Sequence, residues 1–143
     1  EIEVTVDYNR TISLIREKCS FSSGSATIDP KFYPVLLKIA DAVDSTPGKI
    51  HISGHTDDIP ISTYKFRSNW ELSSARAVSI LQQILRYKKI EGKRIVIQGY
   101  AETIPLVPNT TSKNRALNRR VEIEVIKQAD EEKDLPSLIK FSE

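Results

Sequence analysis

The feature that most constrains this chain is an alternation between two hydrophobic periods. Short segments with every second residue apolar are separated by two longer stretches with apolar residues at helical spacing. Val35, Leu36, Ile39, Ala40 and Val43 mark the first helical stripe, and Ala77, Ile80, Leu81 and Ile84 the second. Asp29-Pro30 is a good start for the first helix, because Asp can cap free N–H groups and Pro suits the first helical position. That helix should stop before Pro47-Gly48. Ser68-Asn69-Trp70-Glu71 offers a capping box for the second, which runs to about Lys88. Around them, Ile2 to Arg16 reads as one or two strands with a turn at Asp7 to Arg10. Ile50, Ile52 and Gly54 alternate with His51, Ser53 and His55, Ile95 to Gly99 is a further strand, and Val121, Ile123 and Val125 mark the last. Ser20 to Thr27 reads as a loop, as does the stretch with Pro105 and Pro108 that leads to the basic run Lys113 to Arg120. The order is strand, helix, strand, helix, strand, strand. With only two substantial helices, the economical solution is an α/β two-layer sandwich with the helices on one face of a mixed sheet.

Composition narrows function by exclusion. The 143 residues suffice for one domain with a real core. With 21 Lys+Arg against 19 Asp+Glu, the net charge of +2 exerts no general pull on nucleic acid, and there is no aromatic-studded basic stripe. One Cys cannot form an intrachain disulfide, and two His exclude the Cys/His zinc patterns. No run approaches the roughly 18 apolar residues of a spanning helix. No signal peptide is evident, and the chain starts at Glu1 without Met, as a piece of a longer protein would. Three segments are expected: a strand region over 1–20, the main domain over 21–127, and a charged tail over 128–143 with a short helix at Leu135 to Lys140.

The densest polar cluster lies at the end of the second main strand and the start of the second helix: His55, Thr56, Asp57, Asp58, Ser68, Asn69, Glu71 and Arg76. Strand ends and helix N-termini commonly carry sites, and the N-terminus of a helix suits a carboxylate. Taken singly, each residue also has a plain structural role. Asp57 and Asp58 are ordinary turn residues, Ser68 a cap, and Arg76 a surface arginine of the second helix paired with a nearby carboxylate. His51 and His55 share one strand face at roughly 13 Å, too far apart for a common metal. Cys19 reads as a half-buried structural thiol. Asn9-Arg10-Thr11 and Asn109-Thr110-Thr111 match the short glycosylation pattern. No G-x-S-x-G, Walker loop or G-x-G-x-x-G is present.

The longer string is more telling. Gly54-His55-Thr56-Asp57, Asn69-x-x-Leu72-Ser73-x-x-Arg76-Ala77, Gly99 with Pro105, and Asn118-Arg119-Arg120-Val121-Glu122-Ile123 occur in that order. Together they resemble the OmpA-like peptidoglycan-binding domain, over roughly Phe21 to Ile126. Phe21-Ser-Ser-Gly24-Ser25-Ala26 and the long Asp58-to-Ser73 stretch with Asn69-Trp70-Glu71-Leu72-Ser73 are closest to the periplasmic domain of the flagellar motor stator B subunit, of MotB or PomB type. The resemblance implies a βαβαββ sandwich that binds the diaminopimelate of the peptidoglycan stem peptide. Asp57 would take its ammonium and Arg76 its carboxylate, with the planar guanidinium fork suited to bidentate pairing. Thr56, Asn69 and Leu72 would line the pocket, and Arg119 or Arg120 would support it or meet glycan.

The resemblance further implies a non-enzymatic anchor: the periplasmic part of a single-pass inner-membrane protein, a homodimer working with a stator A subunit of MotA or PomA type. No cofactor, metal or nucleic acid is implied. Two other readings stand beside it. One is an outer-membrane or lipoprotein anchor of the OmpA or Pal type. The other is a wall hydrolase using Asp57 and Glu71 as acid and base, although Glu71 is already claimed by the capping box.

Overall fold

The computed structural model describes residues 2–6 and 10–127; the anticipated helix at Leu135 to Lys140 lies outside them. Five strands form one sheet: β1 (Ile2–Val6), β2 (Arg10–Arg16), β3 (Lys49–His55), β4 (Ile95–Gly99) and β5 (Arg120–Ile126). The helices are α1 (Glu17–Ser20), α2 (Tyr33–Ser45), α3 (Asn69–Tyr87) and α4 (Ser112–Asn118). The first stretch is thus a hairpin of two strands, with Val6 opposite Thr11.

The strand order is β1-β2-β5-β3-β4, so the last strand in the chain lies in the middle. β5 is antiparallel to both β2 and β3, which makes those two parallel to each other, and β3 pairs with β4 in parallel through α3. Register assigns the faces. Ile15, Val121 and Gly54 form one cross-strand row, and Ser13, Ile123 and Ile52 the next on the same face. Against this face pack Leu36, Ile39, Ala40 and Val43 of α2 and Ala77, Ile80 and Ile84 of α3. The result is the expected sandwich, with the helices on one side of a mixed sheet.

Three local departures have physical causes. Asp29 does cap, accepting from Lys31 N–H at 3.0 Å, but it opens a 3-10 turn over Pro30–Phe32, and α2 begins only at Tyr33. The basic run is partly helical: Thr111 accepts from Asn114 N–H at 3.0 Å and starts α4. A single turn, α1, joins β2 to the following loop.

One close approach sets the spacing of Asp57 and Arg76. A Cβ on Gly54 would lie 2.7 Å from the carbonyl carbon of Ser73 and nearer still to its oxygen, so only glycine lets α3 cross β3 at this height. Asp57 follows Gly54 by three residues, as Arg76 follows Ser73. Their contact sets the distance between the two.

Candidate functional site

Asp57 leaves the end of β3 on a fully specified backbone. Thr56 N–H donates to Ala101 O at 2.8 Å, and Ala101 N–H donates to Ser73 Oγ at 3.1 Å. Ala101 is fully buried with φ of 53°, a left-handed conformation that a non-glycine residue adopts only when its surroundings impose it. The Thr56 hydroxyl donates to Asp57 O at 2.8 Å. The Asp57 carboxylate accepts from Ile59 N–H at 3.0 Å through Oδ1, leaving Oδ2 toward Arg119 Nη1 at 2.7 Å. Asn69, in the first turn of α3, donates to Ile59 O at 3.1 Å and ties the loop to the helix. Ser68 caps α3 by accepting from Glu71 N–H at 3.3 Å.

Arg76 is not a surface arginine. It is 2% exposed, on the inward stripe of α3 between Leu72 and Ile80. Its Nε donates to Ser25 O at 2.7 Å, Nη2 to Ser22 O at 3.2 Å and Nη1 to Glu17 Oε2 at 2.6 Å. The Phe21 ring lies beneath the guanidinium, 4.9 Å from centroid to Cζ. Burial pulls the Arg76 pKa below the usual arginine range, with Glu17 opposing the shift. For Arg119 burial also pulls down, but hydrogen bonds to Asp57 and Glu17 outweigh it and hold the pKa above its ordinary value.

These residues converge on one cavity of about 300 Å³, whose lining includes Thr56, Asp57, Asn69, Leu72, Arg76 and Arg119. Arg120 is not in that lining. Its ladder partners are His55 and Arg16, so it lies on the sheet row that alternation places opposite the core. There it is 2% exposed and bonds Glu122, Asn118 O and Ile104 O. His55 stacks on Tyr100 with centroids 5.2 Å apart and meets Glu122 Oε2 through Nε2 at 2.9 Å. Asn118 is fully buried, where Oδ1 accepts from Leu106 and Val107 N–H and Nδ2 donates to Val107 O and Asn109 Oδ1. The Asn-Arg-Arg string therefore divides: Asn118 and Arg120 brace the 104–109 loop, and Arg119 faces the cavity. Cys19 is half-buried against the core. A larger depression, about 650 Å³, lies beyond the opposite end of β3 around Gly48, Lys49 and Arg94 and contains none of the motif residues.

The residue that sequence reasoning missed is Glu17. Its Oε2 meets Arg76 and its Oε1 meets Arg119 Nε at 2.8 Å, and it lines the cavity at 8% exposure. An acidic residue directly after an alternating strand was the only signal for it.

A family model described as the OmpA family matches residues 20–119. The chain belongs to the OmpA family. The match takes in the whole cavity apart from Glu17. Among curated proteins, the chain is 38% identical over 123 residues to the uncharacterized protein YtxE of Bacillus subtilis, covering 86% of this chain and 50% of that protein. It is 35% identical over 127 residues to Motility protein B of the same organism, covering 88% of this chain and 49% of the relative. The chain thus spans about half the length of these relatives. Among solved structures, the cell wall anchor of the T6SS from Pseudomonas aeruginosa superposes with a TM-score of 0.83 at 36% identity, covering 89% of this chain and 88% of that one. Among the described residues of this OmpA-family domain, no helix is long and apolar enough to cross a membrane.

Proposed function

We propose that this OmpA-family domain is the periplasmic wall grip of a flagellar motor stator B subunit, a non-catalytic anchor that holds peptidoglycan so that torque on the rotor has a fixed reaction point. The observation that carries the reading is the convergence of Asp57 and Arg76 on one small cavity. The free end of a diaminopimelate residue bears an ammonium and a carboxylate. Asp57 suits the first. Arg76 suits the second, since Ser25, Glu17 and Ser22 engage three of its five N–H groups. Thr56, Asn69 and Leu72 shape the walls, Arg119 reaches in from the start of β5, and Arg120 acts indirectly by bracing the 104–109 loop. Binding breaks no bond.

The likeness to Motility protein B favours the stator assignment. With it come a membrane segment upstream, a stator A partner and a homodimer presenting two grips. The likeness to a T6SS cell wall anchor favours a second reading, an anchor for another envelope machine with the same grip. The sequence upstream separates the stator from the outer-membrane or lipoprotein anchor: a single ion-carrying membrane helix fits the first, whereas a lipobox or barrel strands fit the second.

The test is co-sedimentation with purified peptidoglycan sacculi, wild type beside Asp57→Asn. Asn keeps an acceptor for Ile59 N–H but not the charge. Wild type should sediment and Asp57→Asn should remain in solution with an unchanged circular dichroism spectrum. Equal sedimentation of both, or failure of the wild type to bind, overturns the reading. A dissolved sacculus would point to the hydrolase.

A further inference from the structure

The charged side chains lining the cavity, among the described residues, are Glu17, Asp57, Arg76 and Arg119, two of each sign. They form one alternating chain. Asp57 Oδ2 meets Arg119 Nη1 at 2.7 Å, Arg119 Nε meets Glu17 Oε1 at 2.8 Å, and Glu17 Oε2 meets Arg76 Nη1 at 2.6 Å. The two motif residues are therefore not paired with each other. Each faces an internal partner of the sign a ligand would bring: Glu17 stands by Arg76 as a carboxylate would, and Arg119 by Asp57 as an ammonium would.

We propose that Glu17 is a specificity-determining residue of this cavity. By balancing the second guanidinium it keeps the site neutral, so that the site accepts an end group bearing both ammonium and carboxylate and rejects one bearing a carboxylate alone. The inference rests on the wall-binding reading above. Geometry makes Glu17 the fixed member of the chain. Its backbone N–H donates to Arg119 O at 3.0 Å, its own carbonyl accepts from Phe21 N–H at 2.8 Å, and both carboxylate oxygens are engaged. Arg119 is the adjustable member, with a side chain 31% exposed against 10% for Glu17, 9% for Asp57 and 2% for Arg76. An arriving ammonium can displace the Arg119 arm from Asp57 while Glu17 stays and preserves the balance. Without the Glu17 charge, the site would carry a net positive charge in a poorly solvated cavity, and any carboxylate would be drawn in whether or not an ammonium came with it.

The experiment is calorimetric titration of the domain with two tripeptides. One ends in diaminopimelate with its free amine, and the other is identical except that this amine is acetylated. Wild type should prefer the free amine at least tenfold. Glu17→Gln should cut that ratio at least tenfold, mainly by tightening the acetylated peptide. Arg119→Gln leaves the opposite imbalance and releases Asp57, so it should raise the ratio severalfold. Glu17→Asp, which keeps the charge, should stay near the wild-type ratio. An unchanged ratio in Glu17→Gln overturns the proposal, as does a shift of Glu17→Gln and Arg119→Gln in the same direction. If Glu17→Gln does not fold, Arg119→Gln decides alone, and an unchanged or lowered ratio there is fatal. A wild type that binds neither peptide brings down the wall-binding reading itself, an outcome distinct from lost discrimination.

Discussion

Replacing Gly54 by alanine tests the contact on which the whole site depends. The added Cβ would sit 2.7 Å from the Ser73 carbonyl carbon and 3.0 Å from Ser73 Cα, where ordinary contact begins at 3.4 Å. The obstacle is backbone inside a helix, so no rotamer change relieves it. α3 and β3 must separate by at least 0.7 Å, with more needed at the oxygen. Close-packed interiors resist such shifts, and overpacking typically costs about 1–3 kcal/mol. Here the cost should reach about 3 kcal/mol or more, because β3 is also held by β5 and β4 and cannot move alone. For a domain of this size that is a fall in melting temperature of roughly 10 °C. The same shift moves Asp57 away from Arg76, so sacculus binding should weaken even at temperatures where the variant is folded. Gly92 supplies the control: a Cβ there meets nothing within 4 Å, and Gly92→Ala should be neutral or slightly stabilising. Thermal melts followed by circular dichroism, with sedimentation at 10 °C, check both parts. A Gly54→Ala protein melting within about 2 °C of wild type would refute the close-packing argument.

Three further outcomes follow from single contacts. Ser68→Ala removes the α3 cap and should cost about 1 kcal/mol in urea unfolding without changing sacculus binding. Asn118→Ala removes the buried amide that accepts from the part-buried Leu106 and Val107 N–H groups and should cost about 1–3 kcal/mol. Asn118→Asp should also destabilise, because it places an oxygen against Val107 O and Asn109 Oδ1, and limited proteolysis should cut either variant first between 104 and 109. Glu122 has its pKa lowered by the hydrogen bond from His55 and by the Arg120 charge, against opposing burial. Its stabilising contribution is therefore present above the ordinary glutamate pKa of about 4.3 and lost as pH falls below it. Melts from pH 6 to pH 3 should show a shallower acid decline in Glu122→Gln than in wild type.

What was legible in the sequence is what depends on near neighbours. The bounds of β4 follow from the β-branched run Ile95-Val96-Ile97 standing between Gly92 and Gly99, and the start of α3 from a cap and an apolar stripe that agree. α4 was not read as a helix: with Ala116 and Leu117 as its only apolar residues it has no stripe, and it owes its position to Thr111 and Asn118, the latter through bonds to residues 9 to 12 positions earlier. Glu17 was invisible for a stronger version of the same reason, since its partners lie 59 and 102 residues away. Two placements do follow from pattern alone. Arg76 falls four residues after Leu72 and four before Ile80, so the spacing places it on the buried stripe and argues against a surface arginine. In the Asn-Arg-Arg string, the apolar Val121, Ile123 and Val125 put odd positions on the core face. Parity therefore sends Arg120 to the far side with Glu122 and leaves Arg119 on the side of the helices and the cavity. A string that looks like one motif is thus split by the pleat into a strut and a cavity residue. Exchanging Arg119 or Arg120 for Gln should separate the two: the first changes which ligand charge is preferred, and the second lowers stability while leaving that preference as it was.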